Sequence, residues 1–269
     1  MKQLFHIKNS DADGEQQVLS VKIGAGHAGF AITNKSGSEL FQLAYCSIDS
    51  CNETELTKFF EAYPSLTNSF YEVLAGFDFP QSILVSSKDF KQEDAGLLLN
   101  VSGSNNGNSN IISELIAEWQ LYNIYAVSKE VQEWLGKKFP SARFWHQYSL
   151  GIKNINAANA NGTLAIDFRT DEFTIIAVKG SKFLLTQSFE YTTPGDVLYY
   201  LLKTCQQFSL SQQEVQLQLS GLIDKQSSLY KDLYQYFIHI EFREANWKAG
   251  SEFPAHFFTS LNDLAQCAS

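Results

Sequence analysis

Hydrophobic residues from 162 to 190 fall into three short runs that are separated by polar turns. The runs are rich in β-branched and aromatic residues and the gaps are short, which is typical of strands joined by hairpins. A helix is predicted to follow, because Thr193 suits a cap and Pro194 suits a first turn. The strands are predicted at Thr163–Phe168, Phe173–Val178 and Phe183–Phe189, and a fourth, after the helix, at Val215–Leu219.

The same order of elements occurs near the start of the chain. Strand patterns at Val18–Ile23, Phe30–Thr33 and Leu40–Ile48 are followed by an amphipathic helix at Thr54–Tyr63, a helix at Phe70–Ala75 and a short strand at Ser82–Val85. Leu19 aligns with Leu164, an offset of 145 positions. Two copies of one unit indicate a pseudo-symmetric pair of domains rather than a solenoid, which needs at least three repeats. We predict domains at 1–160 and 161–269.

The segment between the copies predicts a small inserted subdomain at about 105–150. Val101–Asn110 is rich in Ser, Gly and Asn and is predicted to be an exposed loop. Strands are predicted at Ile111–Ile116, Leu121–Val127 and Ala142–His146, and a helix at Lys129–Phe139. A closing helix at Phe257–Gln266 is expected to pack on the second domain.

Composition narrows the functional classes. The 269 residues are 44% hydrophobic, which is ample for globular cores. A formal net charge of -9 argues against nucleic-acid binding, which needs clustered Lys and Arg. No signal-peptide pattern and no run long enough to span a bilayer is found, so a cytoplasmic protein without membrane insertion is predicted. The four cysteines lack the spacing of zinc ligands, and no metal site is predicted.

The segment Gly24–Gly29 matches the G-x-G-x-x-G pattern of dinucleotide-binding folds, and Asp49 lies where an acidic residue is expected. That fold requires a helix directly after the glycines. Here a strand pattern and the turn Asn34–Gly37 follow, so the glycines are interpreted as hairpin residues with positive φ angles. A nicotinamide-dependent oxidoreductase is therefore the third of three functional alternatives. His27 is interpreted as an exposed turn residue.

Three antiparallel strands, a helix and a further strand, occurring twice, resemble the actin-like ATPase superfamily, which includes actin, sugar kinases and the heat-shock ATPase domain. The resemblance implies an α/β protein in which duplicated ribonuclease H-like units form an actin-like ATPase fold with a small inserted α/β subdomain. The segments Tyr122–Val127 and Phe139–Phe144, followed by His146, also resemble an uncharacterised bacterial family with that fold, a domain of unknown function.

In this superfamily each first hairpin carries an Asp-x-Gly signature, whose acid organises magnesium and whose glycine admits the phosphates. The resemblance places the first signature on Lys22-Ile23-Gly24 and the second on Asp167-Phe168-Arg169. A lysine in place of the acid removes an oxygen ligand and repels a cation. The adenosine signature falls on Leu219-Ser220-Gly221 and keeps one glycine of its pair. The nucleotide- or anion-binding candidates are Lys22, Gly24, Gly26, Asp167, Arg169, Ser220 and Gly221, and no catalytic residue is assigned.

Two arrangements of these residues are open. Because the signatures face each other across a cleft in the superfamily, Lys22 and Asp167 are hypothesised to form an ion pair. Alternatively, Lys22 and Arg169 hold a phosphate or carboxylate without metal.

The losses in the signatures favour a non-catalytic binding or scaffold protein with a protein partner and no required cofactor. Because Asp167 is retained, the alternative is an ATPase or kinase that uses ATP and magnesium. Surplus aromatic residues of the insertion offer a partner surface. They are Trp119, Tyr122, Tyr125, Trp134 and Trp145.

Overall fold

A computed structural model describes residues 1–9, 16–101, 108–247 and 253–268. These residues form two compact units. Unit 1 contains Met1–Lys153 together with the described residues 246–247 and 261–268, and unit 2 contains Asn154–Ala245 together with residues 253–260. Among the helices of the described chain, every one falls short of the length and apolarity that a bilayer crossing requires.

Unit 1 contains nine described strands, four α-helices and, from Leu261 on, most of the C-terminal helix. The strands are β1 (Lys2–Lys8), β2 (Gln17–Gly24), β3 (His27–Asn34), β4 (Leu40–Ser47), β5 (Glu72–Asp78), β6 (Ser82–Ser86), β7 (Ser109–Ile116), β8 (Leu121–Ser128) and β9 (Arg143–His146). The helices are α1 (Glu53–Ala62), α2 (Ala95–Val101), α3 (Lys129–Lys138) and α4 (Gln147–Asn154).

Unit 2 is smaller and repeats part of this plan. Its strands are β10 (Thr163–Phe168), β11 (Glu172–Lys179), β12 (Lys182–Glu190), β13 (Gln216–Gly221) and β14 (His239–Phe242). Its helices are α5 (Pro194–Gln207), α6 (Ser228–Tyr236) and the start of α7 (Thr259–Ala265). As the sequence predicts, α5 begins at Thr193 and Pro194, and the Asp196 carboxylate accepts a 2.8 Å hydrogen bond from the Thr193 N–H.

The two main sheets have the same topology. In unit 1 the strand order is β1-β4-β3-β2-β5-β9, and in unit 2 it is β12-β11-β10-β13-β14. In each sheet the three strands of the repeated unit, β2–β4 and β10–β12, are antiparallel to their neighbours. The two strands that follow run parallel to the first of the three, which is β2 in unit 1 and β10 in unit 2. β1 is an addition at the edge of the first sheet. The predicted duplication of ribonuclease H-like units is confirmed.

Strand β5 was not predicted. The sequence predicts a helix at Phe70–Ala75 and makes Ser82–Val85 the counterpart of the strand at Val215–Leu219, and both predictions are wrong. Val73 to Asp78 form a strand that is buried on both faces and runs parallel to β2, as β13 does to β10. A short continuous apolar run has no alternation that separates strand from helix. Ser82–Ser86 instead pairs with β8.

The inserted subdomain is built on a separate three-stranded sheet, β6-β8-β7, and α2 packs on it through Ala95 and Leu99. Helix α3 is found where predicted and joins the main core of unit 1 through Trp134. The predicted strand at Ala142–His146 is β9, and it extends the main sheet rather than the insertion. Of the predicted loop at 101–110, residues 102–107 lie outside the described residues, Val101 ends α2 and Ser109 begins β7.

The core of unit 1 depends on an aromatic stripe along α1. Asn52 caps this helix by accepting a 2.9 Å hydrogen bond from the Glu55 N–H. Phe59 and Phe60 are buried, and the Phe59 ring lies 6.1 Å from that of Phe30 on β3. Phe60 packs edge-on against Trp134 with ring centroids 4.8 Å apart. Such pairs stabilise a core beyond the area that they bury.

From Leu261 onward α7 lies in unit 1, contrary to the prediction that the closing helix packs on the second domain, whereas its first two residues lie in unit 2. Leu264 is buried in a cluster with Val18, Leu74 and Leu150. A Cβ on Gly76 would lie 3.1 Å from Leu264 Cδ2, so the missing side chain at Gly76 leaves room for the leucine. This contact joins residues almost 200 positions apart, and no local pattern predicts it.

Candidate functional site

The two first hairpins correspond residue by residue. Ile23 pairs with Ala28 across β2 and β3, and Phe168 pairs with Phe173 across β10 and β11. The connections 24–27 and 169–172 are therefore equal in length and separated by the predicted offset of 145 (Ile23 to Phe168). It follows that Lys22 is equivalent to Asp167 and Gly24 to Arg169, as the resemblance implies.

In unit 1 the signature position holds a buried ion pair. Lys22 is 1% exposed, and its Nζ lies 3.0 Å from Oδ2 of Asp78 at the end of β5. His27 Nε2 lies 3.1 Å from the same oxygen. We call Lys22, Asp78 and His27 the first closed site. Its carboxylate already has two nitrogen partners, so it does not fit a magnesium ion without losing them.

The glycines of the G-x-G-x-x-G pattern make room for this site. A Cβ on Gly24 would lie 2.2 Å from His27 Cε1, and one on Gly29 would lie 2.8 Å from Tyr45 Cδ2. The His27 ring stacks on that of Tyr45 with centroids 5.6 Å apart. The predicted positive φ angles are wrong for Gly24, Gly26 and Gly29, whereas the predicted hairpin context is found. His27 is 4% exposed, so its interpretation as an exposed turn residue is wrong too.

In unit 2 the equivalent turn is closed by Arg169. This residue is 3% exposed, and its Nε donates to Glu172 Oε1 at 2.6 Å. Its Nη2 donates to Thr174 Oγ1 at 2.8 Å, and its Nη1 lies 3.6 Å from Asp167 Oδ2. We call Asp167, Arg169 and Glu172 the second closed site. The guanidinium is held against the sheet by groups of its own hairpin.

Ser220 and Gly221 connect β13 to this site. The Ser220 hydroxyl donates to Asp167 Oδ1 at 2.8 Å. Gly221 has a φ of +78°, and a Cβ there would lie 2.1 Å from the carbonyl oxygen of Phe168. The parallel pairing of β13 with β10 therefore requires a glycine at position 221, and this requirement does not depend on a ligand.

The structure joins the predicted candidates into two separate clusters. Lys22 is joined to Asp78, which sequence reasoning missed because its strand was predicted as a helix. Asp167 contacts both Arg169 and Ser220, and Arg169 in turn contacts Glu172, which lies outside the two signatures. Gly26 lies in the first hairpin, where its carbonyl accepts a 3.0 Å hydrogen bond from the Ile48 N–H and a Cβ would lie 4.0 Å from the Ile48 carbonyl oxygen. The hypothesised ion pair of Lys22 with Asp167 and the alternative anion site of Lys22 with Arg169 stay predictions.

The aromatic residues proposed as a partner surface are partly internal. Tyr125 is 1% exposed and Trp134 is 4% exposed, so these two cannot contact a partner. The Trp119 indole N–H donates to the Ile152 carbonyl at 2.9 Å. Trp145 lies beneath the Lys153 ammonium, which is 4.2 Å from its ring centroid. Tyr125 and Trp134 therefore serve packing, whereas Trp119, Tyr122 and Trp145 are half-buried.

The duplicated sheets show that this chain has the actin-like ATPase fold. The structure is similar to a protein of Bacteroides thetaiotaomicron VPI-5482 with an actin-like ATPase fold and unknown function, with 20% identity, 96% of this chain and 100% of that chain covered, and a TM-score of 0.79. It is also similar to the PilM–PilN type IV pilus biogenesis complex, with 12% identity, 92% and 97% covered, and a TM-score of 0.63.

Sequence comparison then places the chain in a family. Residues 7–240 match the model of a protein family of unknown function, DUF3822, and the chain belongs to that family. No curated protein matches the sequence significantly. The predicted resemblance to a family of unknown function with an actin-like ATPase fold is confirmed.

Breaking the first closed site is expected to destabilise the protein. Lys22→Met leaves the Asp78 carboxylate buried without its cation, and Asp78→Asn leaves the ammonium without its anion, so each should lower the free energy of unfolding by about 3–5 kcal/mol. The double variant should lose less than the two single losses added together, because it removes both charges. Urea unfolding of the four proteins measures this, with Lys137→Met on the exposed face of α3 as the control. Single variants within about 0.5 kcal/mol of wild type would show that the pair contributes little.

Gly221→Ala is expected to lower the free energy of unfolding by more than about 3 kcal/mol, because the new methyl group meets a backbone carbonyl and φ is unfavourable for alanine. Gly136→Ala is the matched control, since it lies in α3 with nothing within 4 Å of its Cβ position. That change should stabilise the helix by up to about 1 kcal/mol. Thermal unfolding of both variants tests the contrast, and equal melting temperatures would refute the packing argument.

Proposed function

We propose that this protein is a non-catalytic binding or scaffold protein that holds a protein partner. The observation that carries the proposal is the buried Lys22–Asp78 pair. In the position where the superfamily has a magnesium-organising acid, this chain has a cation, and the nearby carboxylate of Asp78 is engaged with that cation at 3.0 Å. For Lys22 to bind a phosphate it would have to leave Asp78, and the buried carboxylate would lose the Lys22 cation.

The second closed site supports the same conclusion. The superfamily glycine at this position lets a phosphate approach the backbone, and here its place is taken by a guanidinium with hydrogen bonds to Glu172 and Thr174. Moving Arg169 aside would break bonds to a charged group, each worth about 1.5–3 kcal/mol. Both signatures therefore resist a nucleotide through interactions that already stabilise the fold.

A protein partner is favoured over a small molecule by comparison with a related fold. The PilM–PilN structure is a complex, and the similarity in fold covers 92% of this chain. This similarity supports a role in which this chain binds another protein as part of a complex.

An ATP-dependent enzyme is the second candidate, and one observation favours it. The Asp167 side chain is 20% exposed and accepts a hydrogen bond from Ser220, so one carboxylate of the original signatures remains accessible. In this candidate the phosphate site would be rearranged around Gly24, Gly26, Asp167 and Ser220.

Calorimetric titration with ATP, with and without magnesium, separates the two candidates. We expect no binding up to millimolar ATP, because Lys22 and Arg169 keep their carboxylate partners. Lys22→Ala tests whether Lys22 alone excludes the nucleotide, and Lys137→Ala is the surface control. Micromolar, magnesium-dependent binding together with ATP turnover that Asp167→Ala abolishes would overturn the proposal.

A further inference from the structure

A continuous set of polar side chains attaches the inserted sheet to the main body of unit 1. Asn123 on β8 is fully buried, and its Oδ1 accepts a hydrogen bond from the Ser82 hydroxyl on β6. Its Nδ2 donates to the hydroxyl of Ser149 on α4 at 3.0 Å. Glu114 on β7 accepts a 3.1 Å hydrogen bond from the His146 N–H through Oε2. We call these five residues the polar junction.

Glu114 has an unusual environment for a carboxyl group. Burial raises its pKa to about 7, although the hydrogen bonds from the His146 N–H and Ser149 and the positive charge of Lys153 act in the opposite direction. Its Oε1 is buried and has no hydrogen-bond partner among the described residues. Ionisation therefore places charge on a group that lacks enough donors to solvate it.

His146 does not change its protonation state in the pH range in which Glu114 ionises. Its Nδ1 accepts from the Tyr148 N–H at 3.1 Å, so its Nε2 carries the proton and donates to the Phe79 carbonyl at 3.0 Å. Burial lowers its pKa to about 4, although the negative charge of Asp78 favours protonation. The imidazole is thus neutral from pH 5 to pH 8.

The other titratable groups around Glu114 come from three elements. Lys153 on α4 favours its ionised form, and burial raises the pKa of Tyr125 on β8 above its ordinary value. Burial also raises the pKa of Cys267, near the C-terminus, to about 11. Neither the phenol nor the thiol ionises near neutral pH, so Glu114 is the junction group that does.

We propose that Glu114 is a proton-operated latch, which holds the inserted sheet against the start of α4 when it is protonated and weakens that attachment when it ionises. Local opening exposes the carboxylate to water and removes the penalty of its burial. Because the pKa in the closed form lies above the ordinary value of 4.5, the closed form binds the proton more tightly. The attachment is therefore strongest below pH 4.5 and weakens as the pH rises to about 7.

Hydrogen exchange measured at several pH values tests the latch on the full chain. After correction for intrinsic exchange, the opening constant of amides in β6, β7 and β8 should rise about fortyfold between pH 5 and pH 7, while that of α5 amides in unit 2 changes much less. Glu114→Gln keeps an acceptor for the His146 N–H but cannot ionise, so it should flatten this pH dependence. Glu118→Gln is exposed and should behave as wild type.

The same pH dependence in wild type and Glu114→Gln would overturn the latch, and so would an equal change throughout unit 2. If Glu114→Gln does not fold, an NMR titration of the glutamate carboxyl carbons of the wild-type protein decides the question. The proposal expects one carboxyl to titrate near pH 7, and it is refuted if every glutamate titrates below about pH 5.

Discussion

The structure of the first half depends on the burial of two opposite charges, Lys22 and Asp78, at the ends of adjacent parallel strands. Removing either partner is costly, because the charge that is left stays buried without the opposite charge that offsets its lost hydration. The pairing also fixes its neighbours, since His27 must fold over Gly24 to reach the same carboxylate oxygen. The position to which the resemblance assigns a magnesium-organising acid thus holds a lysine that is paired inside the protein.

Both units pair a charged residue at the signature position with an opposite charge, but they use different residues to do so. In unit 1 a cation on β2 is balanced by an acid on β5, and in unit 2 an acid on β10 is balanced by the cation that follows it in the turn. The backbone registers of the hairpins are the same, so the difference lies in side chains alone. A fold can persist while the chemistry placed on it changes, which is why the fold by itself does not establish an ATPase.

Sequence reasoning recovered the local features of this fold and missed the long-range ones. The hairpins and α5 were predicted because strand alternation, short turns and the Thr193 cap are encoded by neighbouring residues. Strand β5 was missed because it is apolar on both faces, and with it Asp78, whose role depends on a strand more than 50 residues away in sequence. The packing of Leu264 was missed for the same reason, since tertiary contacts rather than periodicity decide where a short helix docks.

The side-chain ammonium signal of Lys22 in nitrogen-15 NMR, assigned with Lys22→Arg, shows whether Lys22 belongs to the internal structure or to a ligand site. An internal Lys22 gives an ammonium group whose protons exchange with water far more slowly than those of exposed lysines, whose resonance does not move when millimolar Mg-ATP is added, and which loses its protection in Asp78→Asn. An ammonium that exchanges as fast as an exposed lysine and shifts on addition of Mg-ATP would instead make Lys22 part of a ligand site.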